Sequence, residues 1–409
     1  MDIESIRKDF PILENKANGK KLIYLDNAAT SLRPKQVIDA ELNYYNNCNA
    51  NIHRGLHRMS EDASELYEEA HKKVASFVNA GPEEIIFTRN ATESMNLIMY
   101  SFFASGYFKR GDNIVISLAE HHANILPWQF LERKAGVELR VCGFAKEFGL
   151  DYGMLESLVD GKTKLLGIAH AHNTIATIND VEKIGKMLKK KNKDSLYLVD
   201  AAQSVPHMPV DVRKINCDFL VFSGHKMLAP TGIGALYGKK ELLEKMEPFL
   251  YGGDMIKDVK MHSAEWNDLP YKFEAGTPAI AQGIALGAAV GYLKKIGVNE
   301  VRKHEKQLTK IALEKLAGIK GITVYGPEDI EKRCGIVLFG HEKLSAHEMA
   351  GLLDKMHNIA IRSGMHCAQP MVESLDKKGL ARASFYIYNT EEEIETFSEA
   401  LKEVTTVFR

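Results

Sequence analysis

A chain of 409 residues is long enough to bury a large core and, by length alone, reads as about two or three domains or as a big α/β unit with a smaller one. Its 53 lysines and arginines against 54 acids leave a formal net charge of -1, which lacks the electrostatic footprint of a dedicated nucleic-acid binder. No apolar run reaches bilayer length and Met1–Phe10 is charged rather than signal-like, so a cytoplasmic protein acting on small molecules or proteins is expected.

In chain order, the pattern predicts an opening helix over Asp2–Asp9. Helical patterns then alternate with short apolar strands: Ile85–Thr88, Asn113–Ser117, Val137–Val141, Lys164–His170, Leu196–Asp200, Phe219–Ser223 and Gly234–Tyr237. Short, fully apolar strands between helices are the signature of a mainly parallel sheet covered on both faces. After about Ala279 a long helical stretch leads to Lys315. Strands at Gly335–Phe339, Ile359–Arg362 and Ala383–Ile387 and a terminal helix come next, which predicts a second, smaller α/β domain. The expected division is an N-terminal segment over residues 1–20 packing on the small domain, a large domain over 21–285 and a small one over 286–409.

The strand Leu196–Asp200 ends in an acid, with Gln203 three residues later, so both sit at the carboxyl edge of the sheet, where ligands of such folds bind. A lone strand-end aspartate often does no more than cap a helix. A carboxylate there also suits a pyridine-based cofactor, because it keeps the ring nitrogen protonated, and Gln203 can reach the ring's phenolic oxygen. The next strand, Phe219–Ser223, runs into Gly224-His225-Lys226 and a glycine-containing turn, bringing a lysine to the same edge. Lysine is ordinarily protonated near neutrality, so covalent attachment of a cofactor aldehyde needs a desolvated amine. Ser223 and His225 flank it as candidate phosphate donors.

Five scattered cysteines without a Cys-x-x-Cys pair support neither a disulfide framework nor a zinc site. Cys48, Cys142, Cys217 and Cys334 read as inert buried thiols. Cys367 differs, because it sits in a short Gly- and Ser-containing loop before Ala368-Gln369-Pro370, where it is placed to be exposed. Arg362 and His366 are near enough in sequence to favour its thiolate.

With these residues in place, the chain resembles the class V aminotransferase family of fold-type I enzymes, and within it the SufS-like (group II) cysteine desulfurases. The resemblance rests on ordered motifs: Tyr24-Leu25-Asp26-Asn27-Ala28-Ala29-Thr30-Ser31, Asn51-Ile52-His53-Arg54-Gly55, Glu120-His121-His122-Ala123-Asn124, Ser223-Gly224-His225-Lys226, Phe273-Glu274-Ala275-Gly276-Thr277-Pro278 and Arg362-Ser363-Gly364-Met365-His366-Cys367-Ala368. It implies an α/β, aspartate aminotransferase-like fold with a mainly parallel seven-stranded sheet. Pyridoxal 5'-phosphate is the implied cofactor, held by Lys226, Asp200, Gln203, Ser223, His225, Thr92 and the stacking, proton-relaying His121. It further implies that Thr277 reaches the phosphate of a neighbouring subunit in a homodimer, and that Arg382, helped by Asn173, clamps the substrate carboxylate. Ala28, Arg362 and His366 complete the expected substrate side.

The activity implied is conversion of L-cysteine to L-alanine with a persulfide forming on Cys367. The sulfur would pass to an acceptor protein of the SufE or SufU kind for iron–sulfur cluster assembly. Selenocysteine lyase uses the same apparatus and is the near rival. A non-catalytic scaffold of cluster assembly is the rival from another class, against which an intact Lys226 and Cys367 argue. The sequence departs from the family pattern at His172 and Ala176, where Ser and Gly are usual, at Leu228-Ala229 for Tyr-Gly, and at Ala91 for Thr.

Overall fold

A computed structural model describes residues 1–406. The large sheet is built from β1 (Ile85–Thr88), β2 (Asn113–Ser117), β3 (Glu138–Cys142), β4 (Thr163–Ala169), β5 (Leu196–Asp200), β6 (Phe219–Ser223) and β7 (Gly234–Gly238). Their spatial order is β1-β7-β6-β5-β4-β2-β3, with β7 antiparallel to both its neighbours and the remaining pairs parallel. Every residue of β1, β2, β5, β6 and β7 is buried, because helices cover both faces and no side of these strands meets water. Two separate apolar clusters, one around Val199 and Phe222 and the other around Ile116 and Leu198, are the cores on the two faces.

The expected strands fall on these elements, shifted by one residue at β3 and β4 and one residue short at the end of β7. The exposed hairpin β8 (Ile256–Lys260) and β9 (Ser263–Trp266) was not legible, since its side chains face solvent and carry no apolar alternation.

The expected long helical stretch is two helices, Ile280–Ile296 and Val298–Ala317, broken at Gly297, whose φ of +88° favours glycine. The first packs on helices Lys35–Asn47 and Arg58–Phe77, and the second on a smaller antiparallel sheet. That sheet orders β10 (Ile322–Tyr325), β11 (Ile336–His341), β13 (Leu380–Ser384) and β12 (Arg362–Gly364). Three sequence expectations need correction here. The strand expected at Ala383–Ile387 is β13, which begins three residues earlier and ends at Ser384. The apolar run Phe385–Tyr388 is buried beyond the strand, with only Phe385 N–H still reaching across, to the Gly335 carbonyl at 2.9 Å. The span Ile359–Arg362 is divided: Ile359–Ala360 pairs in parallel with Ile23–Tyr24, whereas β12 pairs with β13. Residues Gly335–Phe339 become β11, one residue later at the start and two at the end.

The opening helix, Ile3–Arg7, is tied to the C-terminal region. Arg7 Nη1 pairs with Glu393 at 2.7 Å, and the Phe10 ring lies 4.6 Å from that of Tyr388.

Candidate active site

Parallel strands direct their carboxyl ends to one edge, and the functional side chains gather there. Asp200 ends β5, Lys226 stands in the turn after β6, His121 comes after β2, Asn173 after β4, and the helix Ala91–Ala104 begins just past β1. They line a cavity of about 180 Å³ closed on its other side by Arg362, His366, Cys367 and Arg382 from the small-sheet region. Ala28, Thr92, Gln203, Ser223 and His225 also line it, so each expected site residue except Thr277 meets in one place. Thr277 is exposed and lies outside this cavity.

The lysine turn is fixed from two sides. Gly224 approaches Ile233 so closely that a Cβ would come within 2.8 Å of its carbonyl oxygen. The His225 carbonyl accepts hydrogen bonds from Ser31 N–H and Thr30 Oγ1, both at 3.0 Å, and Ser31 Oγ accepts Leu228 N–H at 2.8 Å. What remains exposed of Lys226 faces the cavity. Burial lowers its pKa to about 8, with Asp200 opposing and the charges of Arg382 and Arg362 adding to the fall. Burial raises the Asp200 carboxyl, while a hydrogen bond from Ala202 N–H to Oδ1 (3.0 Å) and the charge of Lys226 lower it. Gln203 Nε2 donates to the Ala28 carbonyl at 2.8 Å, leaving its buried Oε1 without a partner.

His121 is neutral. Burial first, then the charge of Lys226, push its pKa to about 3, and Nδ1 accepts Ala123 N–H at 3.1 Å, so the ring proton sits on Nε2. Beside it, the buried Glu120 carboxylate gathers Ser117 Oγ (2.6 Å), Asn124 Nδ2 (2.8 Å) and Ala169 N–H (3.1 Å), fixing this segment to β2 and β4. At the helix start, Ser223 Oγ accepts Ala91 N–H at 3.0 Å, and Asn90 caps the helix by accepting Glu93 N–H. Burial lowers His225 to about 4, so it too is neutral.

On the opposite wall, Arg382 is fully buried in the middle of β13 rather than at its start. Asn173 Nδ2 donates to the His366 carbonyl at 2.7 Å. Cys367 is the single half-buried cysteine among five, the other four being buried, and its Sγ lies 3.9 Å from Arg362 Nη2. The expectation that His366 also favours the thiolate is corrected: burial lowers it to about 3, and its Nε2 donates to the Leu380 carbonyl at 2.8 Å. A neutral ring so engaged supplies no positive charge to the thiol.

This donor set fits pyridoxal phosphate. A desolvated amine, an enclosed carboxylate and a helix start beside Ser223 surround one cavity, and the buried Gln203 Oε1 and Arg382 Nε have no partner within the protein, as a polar cofactor or substrate would require. Sequence reasoning assigned no role to Asp26, Asn90 or Glu120. Asp26 and Glu120 lie in quoted motifs but act through other side chains, which single-residue chemistry does not reveal.

The fold and site define a pyridoxal-phosphate enzyme, and the chain belongs to the class V aminotransferase family, whose model "Aminotransferase class-V" matches residues 23–397. It is 44% identical over 422 residues to a protein of Haloferax volcanii named "Cysteine desulfurase", covering 100% of this chain and 98% of that one. It is also 44% identical to a "Probable cysteine desulfurase" of Halalkalibacterium halodurans, covering 100% and 99%. Among solved structures, the apo cysteine desulfurase of Thermococcus onnurineus NA1 superposes with a TM-score of 0.94 at 41% identity, covering 99% of this chain and 98% of that one. The S-sulfonic acid form of the Escherichia coli cysteine desulfurase CsdA gives 0.90 at 32% identity, covering 100% and 99%.

Proposed function

We propose that the chain is a pyridoxal-phosphate-dependent cysteine desulfurase that converts L-cysteine to L-alanine and receives the sulfur on Cys367. The observation that carries the reading is the meeting, in one cavity, of a buried amine, a buried carboxylate and a half-buried thiol beside an arginine. Relatives at 44% identity over the full chain support it.

When bound, pyridoxal phosphate supplies an electron-accepting ring that acidifies the Cα–H of an amino acid joined to it. Lys226 would hold the cofactor, and its amine, neutral above about pH 8, is the base placed to take and return the Cα proton. Asp200 would hold the ring nitrogen, Ser223, His225, Thr92 and the start of helix Ala91–Ala104 would hold the phosphate, and His121 would cover the ring and pass protons through Nε2. Arg382 and Asn173 bind the substrate carboxylate, with Ala28, Arg362 and His366 completing the wall. Cys367 thiolate attacks the substrate sulfur: an S–S bond forms, the C–S bond breaks, its electron pair stays with the carbon fragment, and a proton added at Cβ together with return of the Cα proton by Lys226 gives alanine.

In this reading residues 21–285 hold the cofactor, 286–409 carry the acceptor thiol, and 1–20 brace the latter. The enzyme works as a homodimer in which Thr277 reaches the neighbouring subunit's phosphate. Two residues separate β12 from Cys367, so the persulfide has short reach and needs an acceptor protein of the SufE or SufU kind. On this reading the chain is of the SufS-like group and supplies sulfur for iron–sulfur cluster assembly.

Incubation with L-cysteine tests the reading. Alanine release should match persulfide on Cys367, and Cys367→Ala should keep the cofactor's visible absorbance while losing both. Persulfide formation undiminished in that variant would remove the acceptor assignment.

A further inference from the structure

The segment that presents the thiol is strained. His366 and Cys367 adopt left-handed φ values of 50° and 57°, a region that side chains other than glycine rarely occupy and hold only when surrounding contacts enforce it. Three contacts do so. The His366 carbonyl is held by Asn173, and the other two contacts come from a single residue, His122. Its backbone N–H donates to the Cys367 carbonyl at 2.7 Å, and its ring Nε2 accepts Gln369 N–H at 3.0 Å. His122 is itself anchored, because it opens the short helical turn His122–Asn124, whose Asn124 is bound by the buried Glu120 and by Trp128 Nε1 at 2.9 Å.

We propose that His122 is a positioning residue for the acceptor thiol: its backbone and ring form a two-point clamp, on either side of Ala368, that holds Cys367 against the cavity. The assignment rests on the desulfurase reading for its consequence, sulfur transfer, but not for the clamp itself. Gln369 N–H is a donor, so only a ring nitrogen free of a proton can receive it, and the acting tautomer carries its hydrogen on Nδ1. The segment that carries the expected proton relay, His121, thereby also sets where the thiol stands.

The holoenzyme and its His122→Ala and His122→Gln variants test this through alkylation of Cys367 by iodoacetamide, read out by peptide mass, and through single-turnover persulfide formation. In His122→Ala, alkylation should quicken about fivefold and persulfide formation should slow by about the same factor at unchanged KM, as loss of one net hydrogen bond sustains. His122→Gln, whose side-chain oxygen reaches the same donor, should return both rates to within about twofold of the parent. Should His122→Ala not accumulate as folded protein, His122→Asn, too short to reach Gln369, takes its place. Unchanged alkylation and persulfide rates on losing the ring would overturn the clamp, and so would a failure of glutamine to restore them. A parent enzyme that forms no persulfide would sink the desulfurase reading instead, and alkylation would still decide the clamp.

Discussion

Arg382 Nη2 lies 3.1 Å from Asp26 Oδ1, an ion pair between the middle of β13 and the first motif of the chain. Arg382 Nη1 donates to the Asn173 carbonyl at 2.7 Å, and Nε is buried with no partner. The guanidinium is therefore pinned at both terminal nitrogens before any ligand arrives, and its orientation is set by the fold. A lysine at this position has a single mobile charge and cannot make both contacts while also binding a carboxylate. Arg382→Lys should raise KM for cysteine about 10- to 100-fold with a smaller effect on kcat, the pattern of an interaction made in ground and transition states alike. Steady-state alanine release measures it. A fall confined to kcat would mean that Arg382 does not bind the carboxylate.

Lys226 links the site to stability. Its folded pKa of about 8 lies below its ordinary 10.5, chiefly because burial disfavours the ammonium. Below pH 8 both folded and unfolded chains hold the proton and the burial penalty is present in full. Between the two values the unfolded chain binds a proton that the folded one lacks, so stability rises with pH there and the penalty is gone above 10.5. Cofactor-free Lys226→Met should accordingly be more stable than the cofactor-free parent at pH 7, by at most about 3 kcal/mol, since Asp200 loses its compensating charge in the variant. Urea titrations should show the gap closing as the pH is raised from 8 towards 10. A gap that widened over that range would refute the assignment of Lys226 as the depressed group.

The large sheet was legible because two-sided burial leaves a run of apolar residues, and Leu196–Asp200 and Phe219–Ser223 carry it up to their polar last residues. The smaller sheet was less so. The buried run Phe385–Tyr388 extends the apolar signal beyond the ladder, and Gly297 divides a helical pattern whose periodicity continues on both sides. Within the site, residues that bear chemistry could be read singly, whereas Asp26, Glu120 and His122 act by holding another residue. Their roles depend on contacts between segments far apart in sequence. Two of the unusual residues sit where the backbone is strained: Ala176 has φ +64° and Leu228 φ +70°, both fully buried.

Ala176 permits a direct test of that strain. A left-handed alanine costs roughly 1–2 kcal/mol, and its buried methyl packs in the cluster of Cys334 and Ile336. Glycine relieves the backbone but removes the methyl and adds freedom to the unfolded chain, so Ala176→Gly should leave stability within about 1 kcal/mol of the parent. Ala176→Val adds branching at a position that tolerates it least and should cost more than about 2 kcal/mol. Its effect should reach Asn173 three residues earlier and raise KM. Denaturation and kinetics on the two variants check this, and a stable valine variant would show that the loop readily adopts another conformation.

His207 Nδ1 and Glu305 Oε1 are 2.6 Å apart and buried, joining the turn after β5 to the helix Val298–Ala317. Glu305 is raised by burial and lowered by His207, and its second oxygen has no partner, so the pair is not symmetric. Removing His207 leaves a buried carboxyl that must either stay charged alone or take up a proton. Removing the charge of Glu305 leaves no carboxylate stranded in the interior. His207→Ala should therefore cost about 3–5 kcal/mol and Glu305→Gln only about 1–2. Replacing both with leucine should recover most of the larger loss, because apolar packing can substitute for a buried ion pair. Urea denaturation of the three variants at pH 7 separates the cases. Equal losses in the two single variants would mean that the contact acts as an ordinary neutral hydrogen bond, with no charge held between the cofactor-side turn and the helix.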